Sequence, residues 1–541
     1  MKLIKKYWLP ILLILLVLPS IWPLFRPGFF RMHDWQHVAR LGQLDLALKD
    51  GQFPPRWSPD FGWGYGMPLL HFYAPLPYYL AEMFHLLGIS AVNAIKLVFG
   101  LNYLAGFYFM YLWAKEYWRK LGGVIAATSF VYLPYRAVDF YVRGTLGELT
   151  AMTFLPLFFY AAHKLVKEKK PQFVILSAVS LAGIFLSHSP VALFAVFLIF
   201  LYFLFYLKSW RQFLLSGLLA FGLSAFFILP AFFEKSYTIV SKIASGFFHY
   251  SFHFIYLRQL LSRRWGYGGS VLGIKDNISF QLGLPQTILA LLAVIVLFLA
   301  IKKKKKALIT QLTYVASAFI LTVFLMTFHA QSIWDKLTII QITQFPWRLL
   351  VFSSTFIAFL TGSIAYLVTQ KKVLLILTAL IVFSTIALNL NYFQPEKPDN
   401  WQLYTTDKQI IRTEISDGLF DYLPVTAQKP AEPQTDPYQT TAQIDNFSGK
   451  TGLYTFTSQA DQSTQFYLNQ YYFPGWQANL DGQPVTLQPS EDIGRIEFTL
   501  PAGQHQVEIK LAKTKLQFWS DIISLVAWLG VGGYLLNKRY V

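Results

Sequence analysis

The chain has 541 residues, 55% hydrophobic and 18% aromatic, with only 14% charged and a mean hydropathy of +0.42. A water-soluble protein of this length cannot hide so much apolar surface, so lipid is the expected solvent for much of it. With no cysteine, disulfides, zinc–thiolate sites and thiol nucleophiles are excluded, and the net charge of +18 falls in short basic clusters between apolar runs, as in cytoplasmic loops rather than a nucleic-acid surface.

The N-terminal Lys2, Lys5 and Lys6 precede an apolar run from Trp8 to Phe25. No small-x-small cleavage site follows, and Pro10, Pro19 and Pro23 interrupt the run, so it reads as an uncleaved first helix. Runs long enough to cross a bilayer then lie near 91–113, 121–135, 149–166, 171–187, 190–207, 213–233, 284–301, 307–328, 347–368, 373–391 and 517–536. With the N-terminus inside and strict alternation, the inner segments collect Lys115/Arg119/Lys120, Lys164/Lys167/Lys169/Lys170, Lys208/Arg211, Lys302 to Lys306, Lys371/Lys372 and Lys538/Arg539. Only two acids, Glu116 and Glu168, accompany them, so the charge parity supports twelve spans.

The expected organisation is a polytopic domain over 1–391 with outer loops 26–90, 136–148, 234–283 and 329–346. A β-rich extracytoplasmic domain follows over 392–516, and 517–541 hold the last helix and a cytoplasmic tail. In the β region, 495–500 and 507–511 alternate at period two, as half-buried strands do. Asp481-Gly482 is a hairpin turn signal and Ala502-Gly503 a weaker one, so a small β-sandwich is expected, entered through a loop marked by Pro424, Pro430, Pro433 and Pro437.

Several polar residues stand out against this background. At helical spacing His33, His37 and Arg40 share a face with Asp34 beside them; three readings are open, a carboxylate base, a metal site of His33, Asp34 and His37, or a solvated face. In the second outer loop Asp139 and Arg143 form an i,i+4 pair and Glu148 begins the next span, either as a site or as an ion-paired cap. The loop 234–283 carries Arg258, Arg263 and Arg264 among aromatics, which suits an interfacial helix on anionic headgroups or a lipid-borne phosphate. Arg348 lies at the outer mouth of the tenth span, and His188 at the outer end of the fifth, where it would cap that helix.

The layout, a first helix followed by a large outer loop with an early acid and then many helices, resembles the polytopic GT-C glycosyltransferases. More narrowly, His33-Asp34, the stretches Gly51 to Trp57 and Gly62 to Pro68, Tyr141 to Gly144, Phe345 to Arg348, Tyr472 to Trp476 and Asp481-Gly482 are similar to bacterial membrane proteins named for a "6-pyruvoyl-tetrahydropterin synthase-related" domain, close to the YfhO-type family. Nothing resembles a soluble pterin enzyme. The resemblance implies a GT-C-like bundle in a bacterial cytoplasmic membrane with both termini inside. It implies sugar transfer, by inversion, from a polyprenyl-phosphate donor to an extracytoplasmic glycan, lipid or protein. Asp34 would be the catalytic carboxylate, as base or metal ligand, with Glu148 and Asp139 next. Arg143, Arg258, Arg263, Arg264 and Arg348 would meet the phosphate, and His33, His37, Arg40 and His188 would support. Having His33-Asp34 in place of a D-x-D or D-E pair leaves a divalent metal open. Alternatives are a transporter or flippase of lipid-linked saccharides and a non-catalytic envelope scaffold.

Overall fold

The computed structural model describes residues 2–242, 246–396 and 404–537. Lys538 and Arg539, which close the basic pattern, lie outside the described residues, as do the side chains of Lys2, Lys5, Lys6 and Lys242. The protein is a mostly helical, multi-pass membrane protein with a C-terminal two-sheet β domain. Among the described residues, nine helices are long and apolar enough to cross a bilayer, and Pro171–Phe185 and Ser189–Phe205 are shorter apolar helices. The runs expected at 91–113 and 121–135 lie in one helical stretch, Ala91–Val131, whose backbone breaks at Arg119 (φ 60°, ψ 177°). That break falls in the basic turn expected between them, so every apolar run read from the sequence is helical.

The chain divides into two compact units, along a different line from the one drawn on sequence. The first holds 1–35, 96–221 and 244–401. Its most enclosed span is Pro346–Leu367, whereas Lys371–Tyr392 leaves most of its apolar side chains exposed, Leu375, Ile376 and Phe383 among them, as lipid-facing residues would be. Trp113 stacks on Phe359 at 4.0 Å and on Phe159 at 4.8 Å, locking helices Ala91–Val131 and Leu146–Glu168 to this central span. Among its described residues, the segment 234–283 forms no continuous interfacial helix. Its described residues form short 3₁₀ turns, such as Tyr250–Phe252 and Leu257–Leu260, because glycines and a scattered apolar pattern leave no continuous amphipathic face.

The second unit holds 36–95, 222–243 and 402–541. Here residues 36–95 group with the β domain, whereas 26–35 stay in the first unit. Aromatic contacts explain this: Trp57 lies 6.2 Å from Phe473 and 5.6 Å from Trp476, and Tyr65 5.4 Å from Tyr471. Strands β1 (Tyr438–Thr440), β4 (Thr464–Tyr471), β8 (Arg495–Leu500) and β7 (Gln488–Pro489) form one antiparallel sheet in the order β1-β4-β8-β7. The other runs β2 (Gln443–Lys450), β3 (Leu453–Ala460), β9 (Gly503–Leu511), β5 (Trp476–Leu480), β6 (Gln483–Val485). Phe456 of one sheet stacks on Phe466 of the other at 4.6 Å, and Phe466 meets Phe498 at 5.2 Å, so inward-facing rings fill the sandwich. Asp481 and Gly482, both at positive φ, close the β5–β6 hairpin as expected. Ala502-Gly503 does not make a hairpin: β8 pairs with β4 and β7 while β9 pairs with β3 and β5, so this turn carries the chain from one sheet to the other.

Candidate functional site

The polar centre of the first unit is built on a π-helical turn, Val138–Val142, in which Asp139 is the second residue and from which a short loop leads to helix Leu146–Glu168. Such one-turn expansions recur at functional sites. Arg143 donates from Nη1 to Asp139 Oδ1 at 2.7 Å and from Nη2 to Glu148 Oε2 at 2.8 Å. Tyr135 Oη donates to the other oxygen of Glu148 at 2.5 Å, and the Arg143 guanidinium lies over the Trp347 ring at 4.6 Å. Asp139 and Glu148 are completely buried and Arg143 is 5% exposed. Burial and the neighbouring Glu148 charge push the Asp139 carboxyl well above its ordinary range despite Arg143, so Glu148 is the firmer counter-charge.

Two glycines allow these segments to meet. Gly144, at φ +67°, sits where any Cβ would collide with Met32, and there the chain 32–34 runs alongside 142–143. His33 and Asp34 donate their backbone N–H groups to the carbonyls of Val142 at 3.0 Å and Arg143 at 2.8 Å. Gly147 touches the Ser187 carbonyl where a Cβ would not fit, which brings His188 beside Glu148. His188 Nδ1 accepts from the Val191 N–H at 3.3 Å, so it caps the start of helix Ser189–Phe205 and not the end of the helix before it. That bond leaves the proton on Nε2, 3.9 Å from Glu148 Oε2. Burial pulls the His188 pKa down to about 3, so the ring is neutral.

Arg348 enters from the start of the central span, with Nε 3.6 Å from Glu148 Oε2 and Nη1 donating to the Thr343 carbonyl at 2.7 Å. Its side chain keeps 15% of its surface, in contrast to the enclosed Asp139 and Glu148. The Asp34 carboxylate acts electrostatically on both Arg348 and His188. The structure thus brings Asp34, Asp139, Arg143, Glu148, His188 and Arg348 into one unit around one centre, with Tyr135 and Trp347 added to the residues singled out by sequence.

Other expected groupings do not form. His33, His37 and Arg40 share no helical face, because the helix starts at His37 and His33 lies in the bend paired to Val142. His33 Nε2 bonds the Tyr267 carbonyl at 2.9 Å, whereas His37 and Arg40 are buried in the second unit, His37 Nδ1 2.8 Å from the Tyr78 hydroxyl. No cluster of three or more His, Cys, Asp or Glu able to hold a metal occurs among the described residues. His33, Asp34 and His37 are not gathered into such a group. Arg258, Arg263 and Arg264 are exposed and face different partners: the Tyr256 ring, the Tyr392 hydroxyl and the Ile274 carbonyl.

No family model matches the chain. An uncharacterized protein of Lactococcus lactis subsp. cremoris is 25% identical over 265 residues, 46% of this chain and 42% of that protein. The match spans less than half the length of that curated relative. Three structures of an oligosaccharyltransferase of Archaeoglobus fulgidus are similar at low sequence identity. One, tethered with an acceptor peptide, is 13% identical with a TM-score of 0.47 over 81% of this chain and 62% of that one. A complex with an inhibitory peptide and a dolichol-phosphate is 15% identical with a TM-score of 0.40 over the same shares. A complex with Zn and sulfate is 16% identical with a TM-score of 0.41 over 79% and 59%. Likeness this distant assigns neither an activity nor a ligand to the present chain.

Proposed function

We propose that the protein is a GT-C-type glycosyltransferase, of the YfhO-like kind, that moves a sugar from a polyprenyl-phosphate donor to an acceptor outside a bacterial cytoplasmic membrane. The observation that supports this reading is the part-exposed Asp34 carboxylate, whose charge reaches Arg348 and neutral His188, in the same unit as the buried Arg143–Glu148 and Arg143–Asp139 ion pairs. Buried ionisable groups at helix mouths are costly and need a use. Asp139 and Glu148 are too enclosed to meet an acceptor, so Asp34 is the base. It takes the acceptor hydroxyl proton as that oxygen bonds the anomeric carbon. The bond to the phosphate oxygen breaks with inversion, and the polyprenyl phosphate leaves with the electron pair. Arg348 stabilises the leaving phosphate, and Glu148 holds Arg348 and Arg143 in place. No step uses a metal.

The test is transfer by purified full-length protein from a panel of polyprenyl-phosphate sugars. Asp34→Asn should slow transfer roughly 10²–10⁴-fold with unchanged thermal stability, and chelator should leave the wild-type rate unchanged. Normal transfer by Asp34→Asn would remove Asp34 from the chemistry. No transfer from any donor, with intact lipid-linked sugars crossing vesicles that contain the protein, would replace the transferase by a flippase.

A further inference from the structure

In the unit that carries the sheets, one helix shows the reverse of the exposure expected in water. Helix Leu76–His85 buries Tyr78, Ala81 and Glu82. The Tyr78 hydroxyl lies 2.8 Å from His37 Nδ1 and accepts from Arg40 Nη1 at 3.3 Å. Glu82 is only 2% exposed and within electrostatic reach of Asp45, His85 and Lys49. The opposite face carries Leu76, Tyr79, Leu80 and Met83 at positions i, i+3, i+4 and i+7, and the turn that ends the helix adds Leu86 and Leu87. Met83 is 63% exposed, Leu86 68% and Leu87 79%. Single exposed apolar side chains are ordinary, but an uncharged stripe opposite a buried carboxylate is not. Polar groups inside and leucines outside are favourable only where the surroundings are themselves apolar.

Three observations identify those surroundings. Only Gly88, Ile89 and Ser90 separate Leu87 from Ala91, where a membrane-spanning helix begins, so the chain is at the membrane surface here. The same unit holds the end of the span Leu207–Phe233 and the start of the span Lys515–Asn537, and hydrogen bonds set these two ends level. Glu234 accepts from the Thr514 hydroxyl at 2.7 Å and from Gln517 Nε2 at 3.0 Å, and His71 Nε2 lies 2.7 Å from it. Exposed Phe232, Phe233, Phe518 and Trp519 form an aromatic rim at that level, as at membrane–water boundaries. Finally, the helix reaches past the rim towards the membrane interior. Pro75 and Tyr79 wall one small hollow with Phe226 and Phe227. Phe226 precedes Glu234 by about two helical turns, on the order of 12 Å along the span. The cation at that depth is neutralised: Arg56 Nη2 donates to the Phe226 carbonyl at 3.2 Å and to Asp521 Oδ1 at 2.7 Å, and Arg56 Nη1 lies 3.1 Å from His71 Nδ1.

We propose that helix Leu76–His85 and the Leu86-Leu87 turn lie in the lipid surface on the β-domain side of the membrane, with Met83, Leu86 and Leu87 among the acyl chains. The occupant of the stripe is bilayer lipid, because the stripe is uncharged and continues the lipid-facing flank of the span beside it. An apolar helix face of this kind sinks about 5–10 Å below the headgroups. The contact does not depend on the transferase reading. The chain has no cysteine, so single-cysteine variants each report one site. Met83→Cys and Leu87→Cys, with Gln459→Cys at an exposed position of β3 as reference, are labelled with a small fluorophore in lipid nanodiscs, where both membrane faces are open to solutes. Phosphatidylcholine brominated near the carbonyl end of its acyl chains should quench the labels at Met83→Cys and Leu87→Cys at least about threefold more than at Gln459→Cys, and iodide in the water should do the reverse. Unchanged thermal stability certifies each variant, and Leu86→Cys replaces one that does not fold. Iodide quenching as strong at Met83→Cys and Leu87→Cys as at Gln459→Cys would overturn the assignment in favour of water. Resistance to both quenchers would overturn it in favour of a protein cover, identified as a second copy if the cysteines crosslink two chains.

Discussion

Glu148 and Asp139 share one buried guanidinium, and this predicts strong coupling between them. In Glu148→Gln the Tyr135 hydroxyl still finds an acceptor, but the charge-assisted bond from Arg143 is lost. Arg143 is not stranded, because Asp139 remains 2.7 Å from Nη1, so the cost should be about 2 kcal/mol. Asp139→Asn should cost only about 1 kcal/mol, since that carboxyl is pushed toward its neutral form and Glu148 still balances Arg143. The double variant leaves a 5% exposed cation with neither carboxylate. Breaking buried pairs this way costs about 3–5 kcal/mol, and loss of both charge-assisted bonds puts the double variant at or above the top of that range. A coupling of roughly 2 kcal/mol follows, within the span measured for neighbouring residues. Reversible SDS unfolding of the protein in mixed micelles, followed by helicity, measures all four corners of the cycle. A coupling below about 0.5 kcal/mol, or equal costs for the two single variants, would refute the shared-cation account.

Further outcomes follow from the same geometry. Arg348→Gln should lower kcat/KM about 10²–10³-fold if Arg348 meets the departing phosphate, whereas Arg258→Gln, Arg263→Gln and Arg264→Gln should each change it by less than about threefold, the scale of one exposed charge at a lipid surface; a transfer assay separates the two. Phe466→Ala removes a fully buried ring stacked between Phe456 and Phe498, and should cost about 3–5 kcal/mol, read as proteolytic cutting within 438–511 at a temperature that wild type survives. In the β domain Asp481 holds His505 above its ordinary value and is itself held below the usual carboxylate range by that hydrogen bond. The raised histidine contributes stability below its unfolded pKa and loses it as pH rises through the folded value; the lowered aspartate contributes above its unfolded pKa and loses it as pH falls. The pair is therefore fully effective between about pH 4 and 6.5. Titration of the His505 ring protons should show the raised midpoint, and Asp481→Asn should return it to the ordinary value.

What was readable in the sequence depended on the range of the interaction that decides it. Apolar runs declare themselves locally, so the segments from Trp8 to the last span were all legible, as was the Asp481-Gly482 turn, where both residues take positive φ. Ala502-Gly503 signals a hairpin that does not form, because turn chemistry bends a chain without saying which sheet the next strand joins; β9 is captured by β3, some 50 residues earlier in the chain. The same contrast governs the site. Asp139–Arg143 was visible as an i,i+4 pair, but the Glu148–His188 approach depends on Gly147 touching the Ser187 carbonyl, which no spacing encodes. Helical spacing would put His33 on one face with His37; the His33 backbone instead pairs with Val142, over a hundred residues away. His71, Glu234 and Arg56 passed without notice as a group, although Glu234 ends one apolar run and Asp521 lies inside another, the kind of charge lipid does not accept unpaired.

The stretches that carried the family resemblance divide between the units. His33-Asp34, Tyr141 to Gly144 and Phe345 to Arg348 fall in the first unit, and Gly51 to Trp57, Gly62 to Pro68 and Tyr472 to Trp476 in the second. Their order along the chain suggested one constellation, yet each unit completes its own polar network from segments distant in sequence: Arg143 with Glu148 and Arg348 in one, Arg56 with His71 and Glu234 in the other. Two buried ionic centres are more than anchoring helices need, since each adds charge that only precise partners offset, and in each a buried atom stays without a hydrogen bond among the described residues, Asp139 Oδ2 in one and Arg56 Nε in the other.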